Sequence, residues 1–341
     1  MPTSNSRTSA SSSAARARIV SVSRRTDIPA FYGDWFMRRL DDGYAGYVNP
    51  FGGQRYLVDL RPENVICFVF WSKNYAPFMD RLQTVIDMGY RAYYNFTITG
   101  LPSIFECNLT PTDTAVNTLK RLAAMSSPAH INWRYDPIVI SDATPFEWHI
   151  ERFGALATRL RGAVERCYFS FACLYGKVQR NFLEFENRHQ IKIHDPDLDT
   201  RRRLAAALAD IAAANDMTLH TCCGDDLIND RIFKAHCVDA EIIRKLFDSS
   251  GTTFKKVPTR KECGCYESAD IGAYDTCPLG CIYCYANINK QRAFDRYAVH
   301  DSESVFLGRS KEQSDEWMQD LVVPSDTAVP EPDKAMQLSL F

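Results

Sequence analysis

The chain lacks long apolar stretches, a strong net charge and a secretory signal. No apolar run approaches the roughly 18 residues that a membrane-spanning helix needs, so the sequence predicts no membrane segment. Its 40 basic and 42 acidic residues leave a formal net charge of −2, which excludes a protein-wide attraction to nucleic acid. Residues 1–18 contain no apolar core of the kind that directs secretion. We therefore expect a cytoplasmic protein.

Several familiar catalytic motifs are also missing. The sequence contains no Gly-x-Gly-x-x-Gly dinucleotide loop and no Walker-type phosphate loop. It also contains no serine-hydrolase elbow and no His-Glu-x-x-His zinc helix. No motif therefore supports a dinucleotide-dependent dehydrogenase, a P-loop nucleotidase, a serine hydrolase or a zinc protease.

The chain is rich in cysteine, with 12 residues of this type. Without a secretory signal, this number indicates metal binding rather than disulfides. Cys277, Cys281 and Cys284 form a C-x3-C-x2-C array, and Tyr283 precedes the last thiol. Three such thiolates can hold three irons of a [4Fe–4S] cluster and leave the fourth iron open to another ligand. A zinc knuckle or a purely structural cluster is the alternative interpretation.

The array is similar to the signature of the radical S-adenosylmethionine (SAM) superfamily. This resemblance implies that SAM chelates the open iron of a [4Fe–4S] cluster. It also implies that the reduced cluster splits SAM into methionine and a 5′-deoxyadenosyl radical, which abstracts hydrogen from a substrate. Tyr283 is then expected to lie beside the adenine of SAM.

Runs rich in β-branched and aromatic residues alternate with helical patterns along the chain. Strands are predicted at 19–25, 65–73, 92–99, 130–139, 166–173 and 218–223. Helices are predicted between them at 32–41, 77–88, 111–124, 145–160 and 200–215, and a long loop at 176–198. Alternation of this kind is typical of parallel βαβ units. The predicted fold class is α/β, a partial or full (β/α) TIM-like barrel over residues 18–300.

Polar residues occupy one face of these predicted strands, whereas buried parallel strands are usually apolar on both faces. The polar positions are Ser21, Ser23, Arg25, Asn95, Thr97, Thr99, Asn132, Arg134, Asp136, Ser170, His220 and Cys222. The pattern predicts a ligand-holding lumen, with the site at the carboxyl ends of the strands. Because buried charges are costly unless paired or used, Arg134 and Asp136 are candidate catalytic residues. Alternatively, some of these groups only satisfy one another.

The C-terminal third adds one more predicted unit. Residues 268–274 resemble a strand, the cysteine array a loop, and 286–297 a helix. Radical SAM barrels have this order at their first strand. We therefore predict a permuted connectivity, in which the last strand lies beside 19–25 and the segment 263–300 carries the cluster.

Five motifs together resemble one bacterial family, the domain of unknown function 1848. They are SRRTDIPAFY at 23–32, FWSKN at 70–74, WRYDP at 133–137, CGC at 263–265, and DIGAY at 270–274 with the array. The resemblance covers roughly residues 18–300 and implies a radical-SAM-like barrel with a [4Fe–4S] cluster and SAM. It implies no substrate. Residues 280–286 also resemble, more weakly, a stretch of photoproduct-lyase-like DNA repair proteins.

SAM needs hydrogen-bond acceptors for its ribose and ammonium groups and donors for its carboxylate. Residues at the predicted strand ends can supply them. The candidate cofactor-binding residues are Arg25, Asp27, Thr97, Thr99 and Tyr283, with Thr26, Ser72 and Lys73 as further candidates. Gly52 and Gly53 either contact SAM or form a turn. Cys222 is a candidate catalytic thiol that exchanges hydrogen with a substrate radical.

Some of the remaining cysteines can form a second metal site. Cys222 or Cys223 at a strand end, Cys237, and the Cys263 and Cys265 pair would make four ligands. Four thiolates suffice for a second [4Fe–4S] cluster or a zinc site. The alternative is that these are ordinary small residues near the barrel mouth. Cys67, Cys167 and Cys173 are expected on the helix-facing side of the core.

Both ends of the chain are expected to be largely disordered, at 1–17 and over most of 301–341. The last five residues, Gln337 to Phe341, resemble the bacterial sliding-clamp-binding motif. The resemblance implies a DNA sliding clamp as a partner, with Gln337, Leu338, Leu340 and Phe341 as contacts. A tethered apolar peptide is a suitable docking element. Alternatively, the apolar end packs against its own barrel.

These features lead to one main hypothesis, a radical SAM enzyme that acts on DNA in repair or nucleotide modification. Such an enzyme needs an electron donor, such as a flavodoxin or a ferredoxin. One alternative keeps the radical chemistry but has RNA or a small metabolite as the substrate. Another is a non-enzymatic iron–sulfur or zinc adaptor that associates with DNA.

Overall fold

The structure is a computed structural model that describes residues 17–50, 52–174, 176–249 and 251–321. Its strands are β1 (Arg18–Val22), β2 (Tyr44–Val48), β3 (Arg55–Asp59), β4 (Val65–Ser72), β5 (Ala92–Thr97), β6 (Ile131–Ile138), β7 (Ile140–Ser141), β8 (Arg166–Phe171), β9 (Ile193–His194), β10 (Thr218–Thr221), β11 (Ile232–Lys234) and β12 (Ala269–Asp270). The expected extension at 1–17, except residue 17, and the clamp-like peptide at 337–341 lie outside the described residues.

Helices connect most of these strands. They are α1 (Ile28–Phe31), α2 (Gly33–Asp42), α3 (Met79–Asp87), α4 (Thr112–Met125), α5 (Phe146–Leu160), α6 (Gly176–His189), α7 (Leu198–Ala214), α8 (Ala240–Phe247), α9 (Lys290–Ala298) and α10 (Lys311–Gln319). Short 3-10 helices occupy Pro62–Asn64, Ala76–Phe78, Pro128–His130 and Asp225–Leu227. None of the helices in the described ranges has the length and apolarity needed to cross a membrane.

Eight parallel strands form the central sheet in the order β11-β10-β8-β6-β5-β4-β1-β12. The predicted α/β class is therefore confirmed. In the part of the chain that the structure describes, no strand pairing joins β11 to β12, so the barrel is not closed and the full-barrel alternative is wrong. Segments beside these two edge strands nevertheless meet, because the Tyr266 amide donates to the Val238 carbonyl at 3.1 Å.

Strand β12 pairs in parallel with β1, as the sequence predicts for the last strand. Val20 is opposite Ala269 and Ser21 is opposite Asp270. The strand covers only two residues of the predicted 268–274, because the chain turns away at Gly272. A Cβ atom at Gly272 would lie 1.9 Å from the Ser23 hydroxyl, so only glycine fits against β1 there.

The two faces of the sheet differ, as the alternating pattern predicts. Val20, Phe96 and Trp133 belong to the core shared with the helices that cover the sheet. The opposite face packs Ile19, Val69, Tyr93 and Tyr168 against residues of α8. Cys67 lies on this second face, because its neighbours Phe68 and Phe70 face the helices. Its predicted position, on the same face of the sheet as Phe96 and Trp133, is therefore wrong, whereas Cys167 lies on that face as expected.

Several polar strand residues satisfy one another in the core. The Asn132 side-chain amide donates to the Asn95 oxygen at 3.3 Å, and the Asn95 amide donates to the Cys237 carbonyl at 3.1 Å. Ser21 and Ser23 donate to the Asp270 carboxylate at 3.0 and 2.6 Å. These hydrogen bonds agree with the alternative interpretation, in which polar strand residues satisfy one another. Their side chains are already engaged within the protein.

Two regions differ from the prediction. The loop expected at 176–198 is mostly helix α6, because Val178, Phe182 and Phe185 recur at helical spacing and are buried. The region 301–341, expected to be mostly disordered, includes α10 within its described part. This helix begins at the Ser310 cap, and the Trp317 ring packs on Phe306 with centroids 5.3 Å apart.

Candidate functional site

A cavity of about 760 Å³ opens at the carboxyl ends of the sheet strands. Its wall includes most of the residues that the sequence singles out. From the predicted set these are Arg25, Thr26, Asp27, Ser72, Lys73, Thr97, Arg134, Asp136, Cys222, Cys223, Cys237, Cys263, Cys265, Cys277, Cys281, Tyr283 and Cys284. Thr99, Gly52 and Gly53 do not line it. Two groups of cysteines thus face one chamber.

The first group is the array loop, residues 277–284, which follows β12. Cys277 and Cys281 are buried against Leu279, and Cys284 packs on this cluster. Gly280 has a φ of +73°, and a Cβ there would lie 2.6 Å from the Cys107 sulfur. The array therefore requires glycine at this position, both for its backbone conformation and for its packing.

Backbone amides surround the sulfurs of the array. Amides of Asp27 and Leu279 hydrogen-bond Cys277, and amides of Ala286 and Asn287 hydrogen-bond Cys284. Burial nevertheless raises the pKa of Cys277 to about 12 and raises the pKa of Cys281 and Cys284. Without a metal, these thiols are therefore protonated at neutral pH.

The donor set of the array suits a cluster better than a single ion. Across the described ranges, no group of three or more His, Cys, Asp or Glu side chains is placed to hold one metal ion. A cubane cluster makes a different demand, since each of three iron corners takes one thiolate. All three array thiols line the cavity, and backbone N–H groups donate to Cys277 and Cys284. This thiol set can meet that requirement.

Tyr283 is held by a buried network that the sequence did not indicate. Its hydroxyl donates to Glu106, and the Lys73 ammonium donates to the same carboxylate oxygen at 2.7 Å. Thr99 also donates to Glu106, at 3.1 Å, which explains why Thr99 does not reach the cavity. Glu106 is only 1% exposed. It lies in an irregular segment without a motif, so the sequence offers no signal for it.

Asp27 joins three elements next to the array. Its carboxylate accepts from the Ser72 hydroxyl at 2.6 Å, the Lys73 amide at 2.7 Å and the Ala30 amide at 3.1 Å. The last bond caps α1. Burial raises the pKa of Asp27 to about 6. Asp27 thus has a structural role in addition to any contact with a cofactor.

Arg25 lies between aromatic rings at the cavity wall. Its guanidinium lies 5.4 Å from the Tyr47 ring centroid and 5.1 Å from that of Tyr274. It also donates to the Gly272 carbonyl at 3.4 Å. Thr26 and Thr276 share a hydroxyl hydrogen bond of 2.6 Å that ties this strand end to the array loop.

Arg134 and Asp136 form a largely buried ion pair that also lines the cavity. Ser170 donates to the Asp136 carboxylate. Arg134 also donates to the Cys237 sulfur at 2.7 Å and lies 5.1 Å from the Trp71 ring centroid. The two predicted catalytic charges are therefore compensated by each other, and they join the sheet to the second cysteine group.

The second group is a closed ring of five thiols. Each thiol neighbours two others in the order Cys222, Cys223, Cys263, Cys265, Cys237 and back to Cys222. The sulfurs of Cys222 and Cys237 are 3.9 Å apart. The structure thus brings together the four predicted ligands of a second metal site and adds Cys223, which was predicted only as an alternative to Cys222.

Neighbours lower the pKa of two ring thiols and raise that of others. Hydrogen bonds from Cys223 and Cys237 hold the pKa of Cys222 well below its usual range. Those from Cys223 and Cys265 do the same for Cys263. The pKa of Cys223 and of Cys237 is raised, in each case chiefly by the bond to Cys222. The ring therefore favours thiolates at Cys222 and Cys263.

Cys173 stands beside the ring but outside it. Its predicted position on the helix-facing side is wrong, because the residue follows β8 and lines the cavity. The Arg260 guanidinium donates to its sulfur at 4.0 Å, and to the Cys223 sulfur at 2.9 Å.

Comparison with known proteins gives one match. The family model described as Domain of unknown function (DUF1848) matches residues 19–286. The chain belongs to this family. The match includes both cysteine groups and ends just after the array, so both belong to the family domain. Searches of curated proteins and of solved structures found no match to the chain.

Proposed function

We propose that this DUF1848 protein is a radical SAM enzyme whose Cys277, Cys281 and Cys284 hold a [4Fe–4S] cluster. The observation that carries the proposal is the position of the array, on a loop that follows a parallel strand and faces a large cavity. When bound, the cluster supplies one electron that cleaves SAM to methionine and a 5′-deoxyadenosyl radical. Parallel α/β enzymes place their reactive groups at this end of the sheet.

The strand order supports the permuted arrangement. Counted from β12, the spatial order is β12-β1-β4-β5-β6-β8-β10-β11. Every strand after β12 then follows in sequence order, so moving one strand to the front gives the simple succession of a βα barrel. In that succession, the strand that precedes the cysteine loop comes first, as the resemblance to radical SAM barrels implies.

Residues near the array can position the cofactor. Arg25 presents guanidinium donors for a carboxylate, and Asp27 can accept from an ammonium group. Lys73 and Glu106 fix the Tyr283 ring beside the array through the bonds already described. Thr97 adds a hydroxyl to the wall. In this proposal, Arg134, Asp136 and Cys222 line the same chamber and face the substrate.

DNA is the proposed substrate class, and a sliding clamp is the proposed partner. Both rest on the peptide Gln337 to Phe341, which lies outside the described residues. A flavodoxin or ferredoxin would deliver the electron. An RNA or small-metabolite substrate, and a non-enzymatic adaptor, are outcomes that the following experiments distinguish.

The test of the chemistry is SAM cleavage by anaerobically reconstituted, chemically reduced protein. We expect release of 5′-deoxyadenosine, lost in Cys281→Ala and retained in Cys107→Ala, which removes a nearby thiol outside the array. Wild-type protein that holds iron and sulfide but releases no 5′-deoxyadenosine would refute the enzyme and favour the adaptor.

The test of the location uses the last five residues. Leu340→Ala with Phe341→Ala should abolish binding to a purified bacterial clamp, whereas Ser339→Ala, between the anchor residues, should not. Both proteins should cleave SAM equally well. Equal clamp binding by the double variant and the wild type would remove the DNA assignment and favour RNA or a metabolite.

A further inference from the structure

Five cysteines from three separate segments meet on the wall of the cavity that the array also lines. Cys222 and Cys223 follow β10, Cys237 follows β11, and the other two precede β12. Their thiols form the closed ring of neighbours described above, in which the Cys222 and Cys237 sulfurs are 3.9 Å apart. A convergence of this kind depends on the folded sheet, because neighbours in sequence supply only two of its five contacts.

The ring is surrounded by donors to sulfur. Arg134 donates to Cys237 at 2.7 Å, and Arg260 donates to Cys223 at 2.9 Å and to Cys222 at 3.7 Å. The Thr259 hydroxyl donates to Cys263 at 3.4 Å. Charged N–H donors favour sulfur in its anionic, thiolate form. The surroundings are therefore those of a metal–thiolate site, in which donors around the sulfurs tune the ligands.

Packing and disulfide formation explain the ring less well. Cys222, Cys223 and Cys263 are only partly buried and line the cavity, so they do not merely fill the core. All five thiols are free. Five thiols cannot all pair into disulfides, whereas four of the five are enough to coordinate a metal centre.

We propose that this ring binds a second metal centre through thiolate ligands, in the cavity that the array also lines. Either an iron–sulfur cluster or a zinc ion takes four thiolates. In the described arrangement the thiols contact one another and are not placed around an ion. Binding would therefore turn the side chains from these contacts to the metal, and each ligand would release its proton. This inference goes beyond the proposed function and holds whether or not the array cleaves SAM.

The test removes the array and asks whether metal remains. A triple variant, Cys277→Ala, Cys281→Ala and Cys284→Ala, is purified without oxygen, and its iron, acid-labile sulfide and zinc are measured per chain. We expect about four irons with sulfide for a cluster, or about one zinc without sulfide. Adding Cys263→Ala and Cys265→Ala should remove that metal, whereas adding Cys173→Ala, a cavity thiol outside the ring, should not.

A second measurement does not depend on ring variants that fold. In the triple variant, bound metal should protect the ring thiols from iodoacetamide, and a chelator should expose them, as mass spectrometry of the labelled peptides can show. Absence of both iron and zinc from the triple variant, before and after reconstitution, would overturn the second centre. Failure of SAM cleavage by the wild type, with metal retained in the triple variant, would refute only the proposed function.

Discussion

The two cysteine groups face the same cavity but are built in different ways. The array takes its three thiols from eight consecutive residues, and backbone amides donate to Cys277 and Cys284. The ring takes five thiols from three segments, with side chains such as Arg134 and Thr259 as donors. A local motif can therefore organise the array, whereas the ring forms only when the sheet has assembled.

The largest expected effect tests whether the cavity wall that carries the cysteine ring depends on the charge of a side chain. In metal-free protein, Arg134→Met removes the cation beside the buried Asp136 carboxylate. Loss of one partner of a buried pair costs roughly 3–5 kcal/mol of unfolding free energy. Urea unfolding measures it, with Arg244→Met as the control because the Arg244–Glu241 pair is more exposed. If the free energy of unfolding falls by less than about 1 kcal/mol, the wall that carries the cysteine ring does not depend on the Arg134 cation.

The second effect tests the local backbone of the array. Gly280→Ala forces alanine into positive φ and against the Cys107 sulfur, whereas Gly162→Ala has a similar φ of +76° and open space. We expect about 1 kcal/mol of destabilisation at Gly162 and about twice that at Gly280. Combining Gly280→Ala with Cys107→Ala should recover the difference. Equal losses of unfolding free energy at both glycines would show that the array loop shifts to relieve the contact between the new Cβ atom and the Cys107 sulfur.

The third effect compares thiol reactivity in metal-free protein. Iodoacetamide attacks the thiolate, and the pKa of Cys222 and Cys263 is lowered. Their labelling rates should therefore change little between pH 6.5 and 8.5. Burial raises the pKa of Cys277 to about 12, so its rate should rise about tenfold per pH unit over that range. Mass spectrometry measures the labelling rates. If the rates of the two groups depend on pH in the same way, the expected difference in thiol pKa between the groups is wrong.

The smallest effect concerns a thiol that belongs to neither group. Cys107 is exposed, and its sulfur makes weak contacts to the Gly280 carbonyl at 3.6 Å and to the Leu279 carbonyl at 4.0 Å. Cys107→Ala should change the unfolding free energy by less than about 0.5 kcal/mol and should leave the metal content unchanged. Loss of iron in this variant would extend the array to Cys107.

The sequence predicted what depends on periodicity and local motifs. Alternation along β5 and β6 separated Phe96 and Trp133, which face the helices, from Asn95 and Asn132 on the other face. The parallel sheet was predicted from the alternation of strands and helices, and the pairing of β12 with β1 from the resemblance to radical SAM barrels. The grouping of Cys222, Cys237, Cys263 and Cys265 was predicted from a strand-end thiol, a loop thiol and a C-x-C pair. Metal binding and catalysis by these residues stay predictions.

Long-range contacts were beyond the reach of the sequence. Glu106 meets Lys73 and Tyr283 only because three distant segments converge. Helix α6 was missed because its polar residues outnumber the apolar positions that face Phe105. The open edge between β11 and β12 depends on strand lengths of three and two residues, which no pattern marks.

The position of β12 has a consequence for synthesis on the ribosome. Ser21 and Asp270 hydrogen-bond across 249 positions of the chain, so β1 emerges long before its neighbour on that side. Until then, the nascent chain carries an unpaired strand edge, which is a site for aggregation. Such late pairing also slows folding. Emergence of the segment that carries β12 and the array, rather than of the earlier strands, thus sets the earliest moment at which the chamber can be loaded.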